Sequence, residues 1–92
     1  MKVKFLDKEW DINNPTYKEK RELWKLNSLS WQNGELNQEE YFKLLDKTED
    51  ISGLSPDDYT NKDGDPLSMG EIDLVLQHIL LNYLGLSTDS KK

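Results

Sequence analysis

The chain has 92 residues, of which 35% are hydrophobic and 33% are charged, and its formal net charge is −6. A chain of this length forms one small domain, and its acidic balance argues against nucleic acid as a partner, because phosphates require a basic surface. Cysteine is absent, which excludes disulfide bonds and thiolate metal sites.

Residues 2–12 predict a short β-hairpin, because apolar and polar residues alternate on both sides of a turn expected at Asp7-Lys8. An isolated hairpin is only marginally stable in water, so its apolar face must pack on helices. That face contains Val3, Phe5, Trp10 and Ile12.

The first helix is predicted from about residue 16 to residue 32. Two positions are possible for the start of this helix. Either Asn14-Pro15 begins the helix, or Thr16 caps it with Glu19 three residues later. Asn33-Gly34 is expected to end it.

The second helix is predicted over residues 37–51, with Asn37 as its cap and Glu40 in the capping-box position. Ser52-Gly53 is expected to end it. Residues 55–58, Ser-Pro-Asp-Asp, then favour one short helical turn.

The third helix is predicted over residues 68–84, since Ser68 and Glu71 have the spacing of a capping box and Gly85 follows as a C-terminal stop.

Residues 1–86 therefore predict a single α+β domain, mainly helical, in which an N-terminal β-hairpin packs on three α-helices. Residues 87–92 are expected to form a disordered polar tail.

The first helix carries two apolar stripes, whereas an ordinary surface helix carries one. One side has Leu23, Leu26 and Leu29. The nearly opposite side has Tyr17, Trp24 and Trp31, spaced seven residues apart. Two interpretations stay open: the hairpin covers the aromatic stripe as part of the core, or the stripe faces a partner protein or a sister subunit.

The third helix also has more apolar residues than one stripe requires. Its wide stripe ends in Leu80, Tyr83 and Leu84, while Leu74 and Leu81 lie on its back. We expect the end of this stripe to form the wall of a groove for an amphipathic partner helix. The partner-binding hypothesis thus includes Tyr17, Trp24, Trp31, Leu74, Leu80, Leu81, Tyr83 and Leu84.

The loop that contains Gly64 is a poor calcium site, although Asn61 and Asp63 suit two ligand positions. Tyr59 occupies the first position and Gly70 the twelfth, where carboxylates are needed. We therefore expect no metal ion there.

No arrangement of residues indicates an enzyme. His78 is the single histidine and has no nucleophile placed with it. The paired acids at 39–40 and 57–58 are explained by the helix starts beside them, and no glycine-rich phosphate loop exists. We expect neither catalysis nor a cofactor.

The charges and the hydropathy pattern indicate which partners to expect. Residues 1–25 have seven basic and five acidic side chains, a net of +2, so the rest carries −8. These opposite charges favour attraction within one molecule or between two copies, although an ordinary solvated surface also explains them. No apolar run reaches the length of a membrane span or of a signal-peptide core, so we expect a cytoplasmic protein without a membrane partner.

Three stretches follow one another along residues 10–86. They are WDINNPTYKEKREL (residues 10–23), ISGLSPDD (residues 51–58) and LSMGEID (residues 67–73). They correspond to a hairpin that leads into a basic helix, a Gly/Ser-Pro-acid junction after a helix, and the start of a leucine-rich last helix. In order and spacing, they resemble the tail assembly chaperones of tailed bacteriophages.

This resemblance implies a function. Proteins of that family bind the tape-measure protein and the tail-tube subunit during assembly and are absent from the finished virion. A non-enzymatic tail or baseplate assembly chaperone in the host-cell cytoplasm is therefore expected. Two alternatives stay open: a small structural adaptor of the virion, and an inhibitor that binds a host protein through its acidic middle region.

Overall fold

A computed structural model describes residues 1–32 and 34–86. An N-terminal β-hairpin precedes three helices, which confirms the predicted α+β, mainly helical fold. The expected tail at 87–92 lies outside the described residues. In chain order the elements are β1 (Lys2–Phe5), β2 (Lys8–Asp11), α1 (Tyr17–Ser30), β3 (Trp31–Gln32), β4 (Glu35–Leu36), α2 (Gln38–Ser52), a 3₁₀ turn (Pro56–Asp58) and α3 (Met69–Tyr83).

The N-terminal hairpin has its turn one residue earlier than predicted. Strands β1 and β2 are antiparallel and pair Val3 with Trp10 and Phe5 with Lys8. The turn is therefore Leu6-Asp7, and both residues have positive φ, 54° and 57°. This is the backbone of a type I′ turn, whose twist matches that of the strands but which normally contains Asn-Gly.

Because non-glycine residues resist this conformation, replacing Leu6 by Asn together with Asp7 by Gly should stabilise the domain by about 1 kcal/mol. Both side chains are exposed, so little packing is lost. Urea denaturation measures the change. Leu6→Ala is the control, since it keeps a β-carbon at the strained position and should give no gain. A lower unfolding midpoint for the double variant would contradict this reading of the turn.

Helix α1 begins as one of the two predicted alternatives and ends earlier than predicted. The Thr16 hydroxyl accepts a hydrogen bond from the Glu19 amide at 3.2 Å, and the Glu19 carboxylate accepts one from the Thr16 amide at 2.7 Å. The helix stops at Ser30, because the next residues pair with Glu35–Leu36 as a second short hairpin.

The other helix bounds agree with prediction to within one residue. Asn37 caps α2 by accepting from the Glu40 amide at 3.3 Å, and Gly53 ends it with φ 79°. Ser68 and Glu71 form the predicted capping box of α3. The short turn also appears where Ser-Pro-Asp-Asp predicted it.

The core lies where the N-terminal hairpin and the three helices meet. Helices α1 and α2 pack closely together, α3 packs on α2, and β1 packs on α3, where the Phe5 ring stacks on His78 at 4.7 Å. The core residues are Val3, Trp10, Ile12, Leu23, Leu44, Ile51, Tyr59, Leu67, Val75, Ile79, Leu80, Tyr83 and Leu84.

A single lysine joins the hairpin to the loop before α3. The Lys8 ammonium donates to the carbonyls of Asp58 and Thr60, at 3.1 and 2.8 Å, and to the Thr60 hydroxyl at 3.1 Å. It also lies 4.1 Å from the centre of the Trp10 ring. The loop is thus held by a cation whose charge is shared among oxygen and aromatic partners.

Candidate functional site

The aromatic stripe predicted on the first helix is exposed to solvent. Tyr17 is 73% exposed, Trp24 44% and Trp31 54%, whereas Leu23, on the other side of α1, is completely buried. Leaving large apolar side chains in water forgoes roughly 1.5–3 kcal/mol each. These three residues are therefore the strongest candidates for contact with another molecule.

The hairpin does not bury this stripe, because it packs on α3. Helix α1 faces the core with Leu23 and Ser30, and Leu26 packs at the core's edge. The stripe lies on the opposite side of the helix. Of the two interpretations of the stripe, the one in which the hairpin covers it as core is therefore wrong for the described structure.

The second hairpin extends the stripe beyond the end of α1. Trp31 belongs to β3 and pairs with Leu36 of β4. Directly paired residues point to the same face of a sheet, and Leu36 is 40% exposed. We call Tyr17, Trp24, Trp31 and Leu36 together the aromatic face.

Basic side chains of α1 lie beside the part of the aromatic face formed by Tyr17 and Trp24. We call them the basic flank: Lys18, Lys20, Arg21 and Lys25, all exposed. The Arg21 guanidinium lies 5.8 Å from the centre of the Tyr17 ring.

The acidic residues of α1 are engaged elsewhere. Glu19 belongs to the helix cap, and Glu22 pairs with Lys47 of α2 at 3.3 Å. Among residues 1–32 and 34–86, the ion pairs use Lys2, Lys43 and Lys47, all outside α1. The positive charge of the basic flank is therefore available to a partner.

The predicted groove wall at the end of the third helix needs correction. Leu80, Tyr83 and Leu84 are only 5%, 2% and 8% exposed and belong to the core. Helix α3 has neighbours on two sides, α2 and β1, which together cover its wide stripe. On the back of α3, Leu74 is 48% exposed and Leu81 is partly buried.

The buried end of α3 is fixed by a tyrosine hydroxyl. Tyr83 donates a hydrogen bond to the carbonyl of Asn13 at 2.7 Å. Burial, together with the negative charge of Glu19, raises the pKa of Tyr83 to about 12. This side chain therefore has a structural role in joining α3 to the segment that leads into α1.

The loop that contains Gly64 is organised by the side-chain amide of Asn61. The side-chain oxygen of Asn61 accepts hydrogen bonds from the backbone amides of Asp63 and Asp65, at 2.9 and 3.0 Å. This oxygen is thus already used in the turn. Across the described part of the chain, no group of three or more His, Asp or Glu residues is placed to hold a metal ion, and no described helix has the length and apolar character needed to cross a membrane.

Of the described residues, six exposed large apolar side chains were absent from the predicted set: Met1, Leu6, Leu36, Phe42, Met69 and Leu86. Leu36 was missed because its strand was expected to be a loop. Phe42 of α2 is 54% exposed and Met69, at the start of α3, is 81% exposed. The position of Phe42 in the sequence, at the edge of the apolar stripe of α2, could have identified it.

Comparisons of this chain with protein-family models, with curated proteins and with solved structures found no match. A binding role of the aromatic face therefore rests on its geometry alone.

Proposed function

We propose that this protein is a non-enzymatic assembly factor that binds another protein through the aromatic face. The observation that carries the proposal is the exposure of Trp24 and Trp31 on a domain whose other tryptophan, Trp10, is buried. Tryptophan and tyrosine dominate the binding energy of many protein interfaces, because each buries a large apolar area.

The resemblance of residues 10–86 to tail assembly chaperones suggests the class of partner. A tail or baseplate assembly chaperone has to cover apolar segments of a virion protein, such as the tape-measure protein, and release them later. An exposed stripe four side chains long suits such reversible binding. Several copies along one long partner would add avidity to a modest individual affinity.

Co-expression with the tape-measure protein of the same phage tests this function. We expect the two proteins to co-purify and the partner to stay soluble. The double variant Trp24→Ala, Trp31→Ala should lose at least about tenfold in recovered complex, as expected for interface hot spots. Phe42→Ala is the matched control, because Phe42 is also an exposed aromatic residue, lies on a different helix and is not part of the aromatic face.

The composition of purified particles separates the alternatives. A chaperone should be missing from mature virions. Stoichiometric amounts in the particle would instead support a structural adaptor. Failure to recover any virion protein would support an inhibitor of a host protein.

A further inference from the structure

We infer, building on the proposed function, that the segment bound by the aromatic face is an acidic amphipathic helix. The spacing of the aromatic residues identifies it as a helix, and the charge of the basic flank identifies it as acidic.

The helical form of the partner follows from the repeat of the stripe. Tyr17 and Trp24 are seven residues apart on α1, and Trp31 continues the repeat at the helix end. A seven-residue repeat follows a shallow path along a helix and matches a second helix that crosses at roughly 20°. The 14 residues of α1 extend about 21 Å, and Trp31 follows directly. A partner helix of about four turns would cover the stripe.

The acidic character of the partner follows from charge complementarity. The four cations of the basic flank lie within a protein of net charge −6. Glutamate or aspartate beside the apolar stripe of a partner helix would meet them as the interface closes. A basic or neutral helix would leave these cations unpaired at the rim.

Charges next to α1 disfavour partners with extended anionic surfaces. Helix α2 packs on α1 and exposes Glu39, Asp46 and Asp50. Packed helices lie about 8–10 Å apart, which is within the Debye length of about 10 Å at 0.1 M salt. These acids therefore disfavour a bilayer or a nucleic acid, whose anionic surface would extend over α2 as well as α1, more than they disfavour a single narrow helix.

Three synthetic peptides test the inference on the intact protein. Each has about six helical turns. The first has leucine at heptad positions a and d and glutamate at e and g, the second has lysine in place of glutamate, and the third contains the residues of the first in an order that gives no apolar face. None of the three contains tryptophan, so a change in the protein's tryptophan fluorescence reports burial of Trp24 and Trp31, because Trp10 is already buried.

The acidic amphipathic peptide should bind at least about tenfold more tightly than either of the others, and its affinity should fall as salt rises from about 50 to about 300 mM. The double variant Lys18→Glu, Lys25→Glu should prefer the lysine peptide. The matched control is Lys4→Glu with Lys62→Glu, which changes the same charge at exposed positions outside α1 and should keep the original preference.

Other results would overturn the inference. These are equal binding of all three peptides, no binding of the acidic peptide, or tighter binding to anionic vesicles or single-stranded DNA. A salt-sensitive dimer of the protein alone that is abolished by Trp24→Ala would assign the face to a second copy. The co-expression experiment is independent: a tail protein retained by a neutral or basic segment would leave the proposed function intact while overturning this inference.

Discussion

Replacing Trp10 by alanine is expected to cost about 3–5 kcal/mol of stability, which is enough to unfold much of a small domain. Trp10 is 2% exposed, and its indole N–H donates to the Phe5 carbonyl at 3.1 Å. The Lys8 ammonium also packs on its ring. Removing the side chain creates a cavity and leaves both polar groups with one partner fewer.

The same substitution at Trp24 or Trp31 should change the free energy of unfolding by less than about 1 kcal/mol, because both side chains are exposed. Urea denaturation of the three variants, followed by circular dichroism, makes the comparison. If Trp24→Ala and Trp31→Ala unfold the protein as Trp10→Ala does, the stripe belongs to the core and the aromatic face is not a binding surface.

Alkaline pH should destabilise the domain mainly through its two buried tyrosines, Tyr59 and Tyr83. Burial raises the pKa of Tyr83 to about 12, and Glu19 adds to the shift. Burial also raises the pKa of Tyr59, whose hydroxyl donates to the Glu49 carboxylate. In the unfolded chain, both tyrosines ionise near pH 10. Their stabilisation is therefore complete below about pH 10 and is lost as the pH rises above it.

Each tyrosine should reduce stability by about 1.4 kcal/mol per pH unit between its unfolded and folded pKa values, a window that for Tyr83 runs from about pH 10 to about pH 12. Denaturation at several pH values measures the slope. Tyr83→Phe should be less stable than the parent at pH 7, because it loses the bond to Asn13, but should have a shallower slope above pH 10. The exposed Tyr17→Phe is the control and should keep the parent slope. An unchanged slope in Tyr83→Phe would refute the assignment.

Local chemistry explains which parts of the fold could be predicted. The starts of all three helices depend on caps that act within three residues, such as Ser68 with Glu71, and each was visible in the sequence. The end of α1 was not. Helical periodicity continues through Trp31, but an Asn-Gly sequence also favours a two-residue β-turn, and strand pairing with Leu36 prevailed.

The functional surface could be predicted only in part, because a helix wheel shows two apolar sides without showing which neighbours cover them. On α1 the aromatic side remained exposed. On α3, β1 and α2 covered the stripe that contains Tyr83, so the same argument gave the wrong result there. The deciding fact was the position of the N-terminal hairpin, which is a tertiary contact between segments far apart in the chain.

The lysine that joins the hairpin to the loop makes these two segments thermodynamically dependent on each other. Lys8 and its carbonyl partners are 50 and 52 residues apart in sequence, yet any fluctuation that lifts the hairpin from the domain also removes the donor from Asp58 and Thr60. Because this coupling is reciprocal, loosening the loop weakens the packing of the hairpin on the domain to the same extent. The two segments are therefore coupled, so that local opening of either one lowers the stability of the other.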